Sequence, residues 1–249
     1  MKFFAKSDIG KNREENQDSY GMSESPNEYF LAVVCDGMGG MAGGKIASKL
    51  AVKTFLDRFG FFYNERKSDT DNITTFDIKR IFSNSVYSTN KAVCDRASAE
   101  EGLHGMGSTL TAAFIYNGSL YTANVGDSRI YLLRGEDIIQ ITRDNSYVQE
   151  LVDKGIISEN DARVHPHRNL ITKALGASLE IEPDFTSMLL EEGDVILLCT
   201  DGLTNAVSDD LIRDTVRCDG EYEEKLTHLI TYANENSGED NVTAVLIKI

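Results

Sequence analysis

Tryptophan is missing from this 249-residue sequence, and proline occurs only three times. No stretch approaches the roughly 18 consecutive apolar residues of a membrane-spanning helix. The first sixteen residues, M-K-F-F-A-K-S-D-I-G-K-N-R-E-E-N, hold no apolar run of the length a secretory leader uses. The chain is therefore expected neither to cross a membrane nor to be secreted by a signal peptide. Cysteine is scarce: Cys35, Cys94, Cys199 and Cys218 form no C-x-x-C pair. Cys35 and Cys199 sit inside apolar runs, the setting of a buried free thiol, so neither disulfides nor zinc are expected. Basic residues are outnumbered 25 to 40, giving a formal net charge of −15. That balance excludes non-specific nucleic-acid binding and attraction to an anionic membrane, but it tolerates bound divalent cations. There is no tandem repeat and no low-complexity tract. The composition is that of an acidic cytoplasmic protein long enough to bury a sizeable core.

What is present centres on Tyr29 to Lys45, Y-F-L-A-V-V-C-D-G-M-G-G-M-A-G-G-K. The unbroken apolar run Phe30–Cys35 predicts a buried strand. It ends in Asp36, a loop with five glycines follows, and a helical pattern begins. An unpaired buried carboxylate is costly, so Asp36 calls for a cationic partner. The device recurs at Val195–Thr200, V-I-L-L-C-T, which runs into Asp201-Gly202. These two strand ends read as halves of one site.

Strands are expected at Phe3–Ile9 and Ser19–Met22, with a turn through Pro26 into the Tyr29 strand. Ile46, Ala47, Leu50, Ala51, Phe55 and Phe59 recur at helical spacing from Lys45 to Phe59. A polar link over 63–75 separates this from a second helix through Ile78–Val93, with Thr74 or Thr75 as N-cap. Asn117-Gly118 between Thr109–Tyr116 and Leu120–Val125 is a strong hairpin signal. Arg134-Gly135 between Arg129–Leu133 and Ile138–Ile141 is another, and together they predict an antiparallel meander. A short helix over Tyr147–Lys154 leads into a polar excursion. Phe185–Leu190 and Val195–Cys199, joined by E-E-G-D, predict a further hairpin. Helices near Asp209–Val216 and Tyr222–Asn236 precede a last strand, Val242–Ile249. The expected fold is α+β, a four-layer α-β-β-α sandwich. Two antiparallel sheets pack face to face, with a helix pair on each outer face.

Asp36-Gly37, Gly126-Asp127, Asp201-Gly202 and Asp240-Asn241 place aspartates beside turn residues, and Asp18 follows Asn16-Gln17 in an early polar loop. Each alone reads as a turn. As a set at the ends of apolar strands they would converge, and converging carboxylates need metal or forced protonation. Oxygen-only donors suit Mg²⁺ or Mn²⁺. Arg13 could give a bidentate contact to a phosphate.

With these residues in view the chain resembles the metal-dependent protein phosphatases, the type 2C serine/threonine class in its bacterial form. The likeness is carried by G-K-N-R-E-E-N-Q-D at 10–18, V-C-D-G-M-G-G at 34–40, G-M-G-S-T-L at 105–110 and N-V-G-D-S-R at 124–129. It continues in R-D-N-S-Y-V-Q-E-L at 143–151, H-P-H-R-N-L-I-T-K-A-L-G at 165–176, T-D-G-L-T-N at 200–205 and E-D-N-V-T at 239–243. The resemblance implies one catalytic domain over 1–249 with a flap at 145–180, binding two or three Mn²⁺ or Mg²⁺ ions. Asp36 would bridge two ions, with the Gly37 carbonyl on one. Asp201 and Asp240 would complete them, Asp127 would help hold a weaker third, and Asp18 would act through water. Arg13 would bind the phosphate. The implied reaction is in-line attack of a metal-bridging water on phosphoserine or phosphothreonine in proteins, with no phosphoenzyme. The implied partners are phosphoproteins, with the enzyme opposing a serine/threonine kinase, and the expected state is a monomer.

The sequence departs from that pattern at Met41, where His is usual, at Lys45, where an acid is usual, and at Asn145 in D-N-S, where D-H-S is usual. His165 and His167 read as flap residues with packing or hydrogen-bond roles. Gly39–Lys45 fits the spacing of a nucleotide-binding P-loop, but Ile46 stands where a metal-binding hydroxyl is needed, and the Asn117-Gly118 hairpin breaks the parallel sheet required. A calcium loop over 69–77 fails at Ile73 and Thr74. A catalytically weak pseudo-phosphatase binding module on the same fold is the remaining alternative, against which the intact aspartate set argues.

Overall fold

The computed structural model describes residues 1–25, 28–70 and 72–249. The Pro26 turn and the side chain of Met41, two points of the sequence reading, lie outside the described residues. In chain order the elements are β1 (Lys2–Asp8), β2 (Asp18–Ser25), β3 (Tyr29–Met38), α1 (Gly40–Asp69), α2 (Thr75–Ala99), β4 (Gly107–Ser108), β5 (Leu110–Tyr116), β6 (Ser119–Val125), β7 (Arg129–Arg134) and β8 (Asp137–Gln140). They continue as α3 (Tyr147–Asp153), α4 (Glu159–Arg163), β9 (Asp184–Leu189), β10 (Val195–Cys199), α5 (Asp201–Thr204), α6 (Asp209–Arg217), α7 (Tyr222–Asn236) and β11 (Val242–Lys248). No helix among the described residues is long and apolar enough to cross a membrane. All four cysteines are free thiols.

The strands form two antiparallel sheets, ordered β1-β11-β10-β7-β8 and β2-β3-β5-β6-β9, with β4 pairing β3. The unbroken apolar strands follow from this layering. Along β3, Leu31, Val33 and Cys35 face the layer packed under α1 and α2, while Phe30, Ala32 and Val34 face the opposite sheet. On β10, Val195, Leu197 and Cys199 face α6 and α7, and Ile196 and Leu198 face inward. A strand buried on both faces needs no polar alternation. The four layers expected from periodicity are those found.

Three expectations need correction. First, α1 begins at Gly40 and continues to Asp69, absorbing half of the glycine loop and most of the polar link. Tyr63 anchors the extension in the core at 1% exposure, and Lys67 and Arg66 pair with Glu28 and Asp77. A polar run can be helical when one residue per turn is buried. Second, β6 and β7 belong to different sheets, so the meander is broken at Gly126–Ser128. Third, β9 and β10 form no hairpin: β9 pairs with β6, and β10 lies between β7 and β11. Turn residues mark a reversal, not the sheet the next strand joins. Arg134 pins that second crossing, bonding Asp194 at 2.9 and 2.7 Å, Glu191 at 2.6 Å and the Leu189 carbonyl at 3.0 Å.

Candidate active site

The aspartates come from the end of β3, the β6–β7 crossing, the start of α5 after β10 and the approach to β11, and they meet at one cleft. β3 runs on past its apolar stretch, so Asp36 lies within the strand, opposite Asp18 in the β2–β3 register. Like charges directly opposed destabilise a sheet unless something compensates them. Asp36 is held by its backbone: its N–H donates to Thr109 Oγ1 and its carbonyl accepts from Thr109 N–H, both at 2.8 Å. Asp201 opens the short turn of α5, and Asn205, four residues on, donates to its Oδ2 at 2.9 Å. Gly37 and Gly202 have no room for a side chain. A Cβ on the first would stand 2.0 Å from the Gly44 carbonyl oxygen, and on the second 2.0 Å from that of Asn241.

Asp36, Asp127, Asp201 and Asp240 face a cleft of about 820 Å³, with Arg13, Gly37 and Asn241 also in its wall. Asp127 and Asp201 also wall a smaller cavity of about 190 Å³ on their other side, shared with Arg129, Asp144 and Arg168. Asp18 lies behind the floor at 6% exposure and borders a separate cavity of about 300 Å³ with Ser19, Tyr20 and Lys49. Among the described residues, no three acidic, histidine or cysteine side chains close into a ready-made coordination cage. The carboxylates ring a space instead.

The electrostatics show the cost of that ring. Burial, then the neighbouring charges of Asp18, Asp201, Asp127 and Asp240, push the Asp36 carboxyl well above its ordinary range. Burial first and Asp201 second raise Asp127 to about 8. Burial raises Asp18 to about 7 against hydrogen bonds from Thr200 and Thr243, with the charges of Asp201 and Asp240 adding to the rise. Burial and the Asp240 charge raise Asp201. Asp18 Oδ1 and Asp201 Oδ1 are buried with no hydrogen-bond donor. Unpaired buried oxygens, mutual repulsion and an all-oxygen donor set fit a hard divalent cation.

Comparison with known proteins gives the same direction. The family model described as Protein phosphatase 2C matches residues 9–246. The serine/threonine phosphatase Stp of Listeria welshimeri is 36% identical over 243 residues, covering 98% of this chain and 94% of that protein. The chain belongs to the protein phosphatase 2C family. That membership makes it an enzyme of the protein serine/threonine phosphatase class. The solved structure of the S. agalactiae serine/threonine phosphatase superposes with a TM-score of 0.88 at 33% identity, covering 100% of this chain and 99% of that one. The catalytic domain of the phosphatase PstP, solved in complex with two manganese ions, gives 0.81 at 35% identity, covering 98% and 96%.

In this phosphatase Arg13 stands at the cleft rim, where its Nη2 bonds Asp240 Oδ2 at 2.8 Å and its Nε bonds the Glu239 carbonyl at 3.2 Å. Lys45, a departure from the usual pattern, pairs with Glu15 at 2.6 Å and so braces the loop that carries Arg13. Asn145, another departure, is a structural tie. Its Oδ1 accepts from Gly126 N–H at 3.0 Å and its Nδ2 donates to Asp184 at 2.6 Å. His165 and His167 cluster with Tyr147, and His167 N–H donates to His165 Nδ1 at 3.1 Å.

Some contributors were not singled out from sequence. Arg129 grips Asp144 with Nε–Oδ1 at 2.9 Å and Nη2–Oδ2 at 2.7 Å, joining the N-V-G-D-S-R and R-D-N-S motifs. Asn241 donates from Nδ2 to the carbonyls of Ile9 and Glu15 and accepts from Gln17 N–H at Oδ1. A polar residue next to an aspartate signals a turn, and its reach across more than 220 residues has no local trace. Asn205 was legible in principle, because i and i+4 share one face of a helix turn.

Proposed function

We propose that this phosphatase removes phosphate from phosphoserine and phosphothreonine in proteins, using two or three Mg²⁺ or Mn²⁺ ions. The reading is carried by one observation: four aspartates and an arginine from five separate stretches of chain face one cleft. Asp36, the Gly37 carbonyl, Asp201 and Asp240 would hold the principal ions. Asp127, placed between the cleft and the cavity beside it, would hold a third. Asp18 would act through water, in keeping with its place behind the floor. When bound, such cations acidify water near neutral pH and offset the charge of the phosphoryl oxygens. The two-manganese complex of PstP supports that choice of ion.

The chain's own groups do the remaining work. Arg13 receives the phosphate oxygens and orients the ester. Thr109 locks the backbone of Asp36, and Asn205 fixes Oδ2 of Asp201, leaving its buried Oδ1 without a protein donor. Among the described residues no cysteine borders the cleft, and the Thr109 hydroxyl is engaged with Ser128 at 2.9 Å and with Asp36 N–H. As the family resemblance implies, water is the nucleophile and the reaction proceeds without a phosphoenzyme, the cleft carboxylates being occupied in holding the ions. Residues 145–180 form a flap within one catalytic domain spanning 1–249: Asn169 and Ile171 border the cleft from that side. The acidic chain works as a cytoplasmic monomer on phosphoproteins, opposing a serine/threonine kinase.

The test is release of inorganic phosphate from a phosphothreonine peptide across a manganese titration. Metal-dependent turnover is expected, with Asp127→Asn losing most of it while still binding two ions. Peptide binding without turnover at any metal concentration would favour the pseudo-phosphatase alternative.

A further inference from the structure

We propose that Arg13 is shared between Asp240 and the substrate phosphate, so that cation binding and phosphate binding are linked through this one ion pair. The inference rests on the reading of the cleft given above.

Asp240 has a protein donor on each of its two oxygens, one of them a charged one. Its Oδ1 accepts from Asn241 N–H at 2.8 Å, and its Oδ2 accepts from Arg13 Nη2 at 2.8 Å. In the cleft wall Asp201 keeps one oxygen without a donor, and so does Asp18 behind the floor. A cation drawn to Asp240 must therefore displace or share with Arg13, whereas Asp201 presents a free oxygen. Arg13 has two claims on it in turn. Its guanidinium is the cation placed to meet a phosphate at the rim, and it is already neutralised in part by Asp240.

The surrounding chain restricts how the conflict can be resolved. The loop from Ile9 to Gln17 is pinned by Asn241 at both ends, by Gly238, whose carbonyl accepts from the N–H groups of Lys11 and Asn12 at 3.0 and 3.1 Å, and by the Lys45–Glu15 pair. The backbone cannot easily carry Arg13 away. The side chain, 48% exposed, can swing. Its Nε also donates to the Glu239 carbonyl at 3.2 Å, so turning the guanidinium toward an anion gives up that longer bond as well as the Asp240 pair, while among the described residues Nη1 has no acceptor to lose.

Linkage then fixes the sign. A phosphate that draws Arg13 from Asp240 restores the full charge of that carboxylate and tightens cation binding. A cation on Asp240 releases Arg13 and tightens phosphate binding by the same factor. The alternative is that Arg13 only steadies Asp240 in a cation-binding orientation, in which case removing it would weaken the cation.

The experiment is calorimetric titration of Mn²⁺ alone into the wild-type protein and into Arg13→Gln, in phosphate-free buffer and again with saturating inorganic phosphate. Arg13→Gln should bind Mn²⁺ roughly three- to tenfold more tightly without phosphate, the scale of one solvent-exposed charge next to a divalent ion. The gain should shrink at high salt. Phosphate should tighten Mn²⁺ binding more in wild type than in the variant. Equal or weaker Mn²⁺ affinity in Arg13→Gln overturns the linkage. Failure of wild type to bind Mn²⁺ at all is a different result, and it removes the underlying reading together with the inference.

Discussion

Asp36→Asn should lower turnover of a phosphothreonine peptide by on the order of a thousandfold at saturating manganese. The substitution keeps the shape of the side chain and removes one negative charge from the middle of the ring. Asp36 is the carboxylate most strongly pressed by its neighbours, since Asp18, Asp201, Asp127 and Asp240 all contribute to raising it. Its backbone contacts to Thr109 do not depend on the carboxyl group, so the fold should survive. Removing a charge that repels four others should even stabilise the protein when cations are chelated, the inverse relation between site strain and stability seen at many catalytic centres. Steady-state kinetics and thermal melting of the same preparation test both halves. A loss below about tenfold would leave Asp36 without the central place given to it here.

The second large effect concerns pH. With cations chelated, thermal stability should fall as pH rises from about 4 to about 8, by on the order of 10 °C in Tm. Asp18 and Asp127 bind their protons more tightly in the folded state, at about 7 and about 8, than an unfolded chain does near 3.8. The folded state therefore carries more protons between these values, and its stability declines with rising pH. That contribution is complete below pH 4 and lost once pH passes 8. Asp77, held down to about 2 by Arg66 and Thr74, acts oppositely and costs stability only as pH falls toward 2. The chelated protein should thus be most stable in mild acid. Manganese, bound by the folded state alone, should raise Tm most at the alkaline end. Melting curves across pH with and without manganese test this, and a chelated protein that grows more stable from pH 5 to 8 would contradict it.

The layers were legible because burial on both faces leaves an unmistakable run of apolar residues, as in Phe30–Cys35 and Val195–Cys199. The four cleft aspartates were legible because each stands beside a glycine or asparagine, Asp36, Asp127 and Asp201 after an apolar run and Asp240 before one; Asp18, between Gln17 and Ser19, was marked only by its polar loop. What sequence could not supply was the route of the chain between sheets. E-E-G-D looks like a hairpin turn, yet Arg134, sixty residues away, turns it into a crossing. The extent of α1 was hidden for a related reason: its last two turns are polar, and only the burial of Tyr63 shows that they remain helical. The position of Arg13 on Asp240 and the anchoring role of Asn241 are long-range hydrogen bonds, which leave no periodic signature.

Anomalous scattering from crystals grown with manganese tests the central claim most directly. Peaks are expected among the carboxylates of Asp36, Asp201 and Asp240, beside the Gly37 carbonyl. A map with those side chains ordered and no anomalous density between them would contradict it.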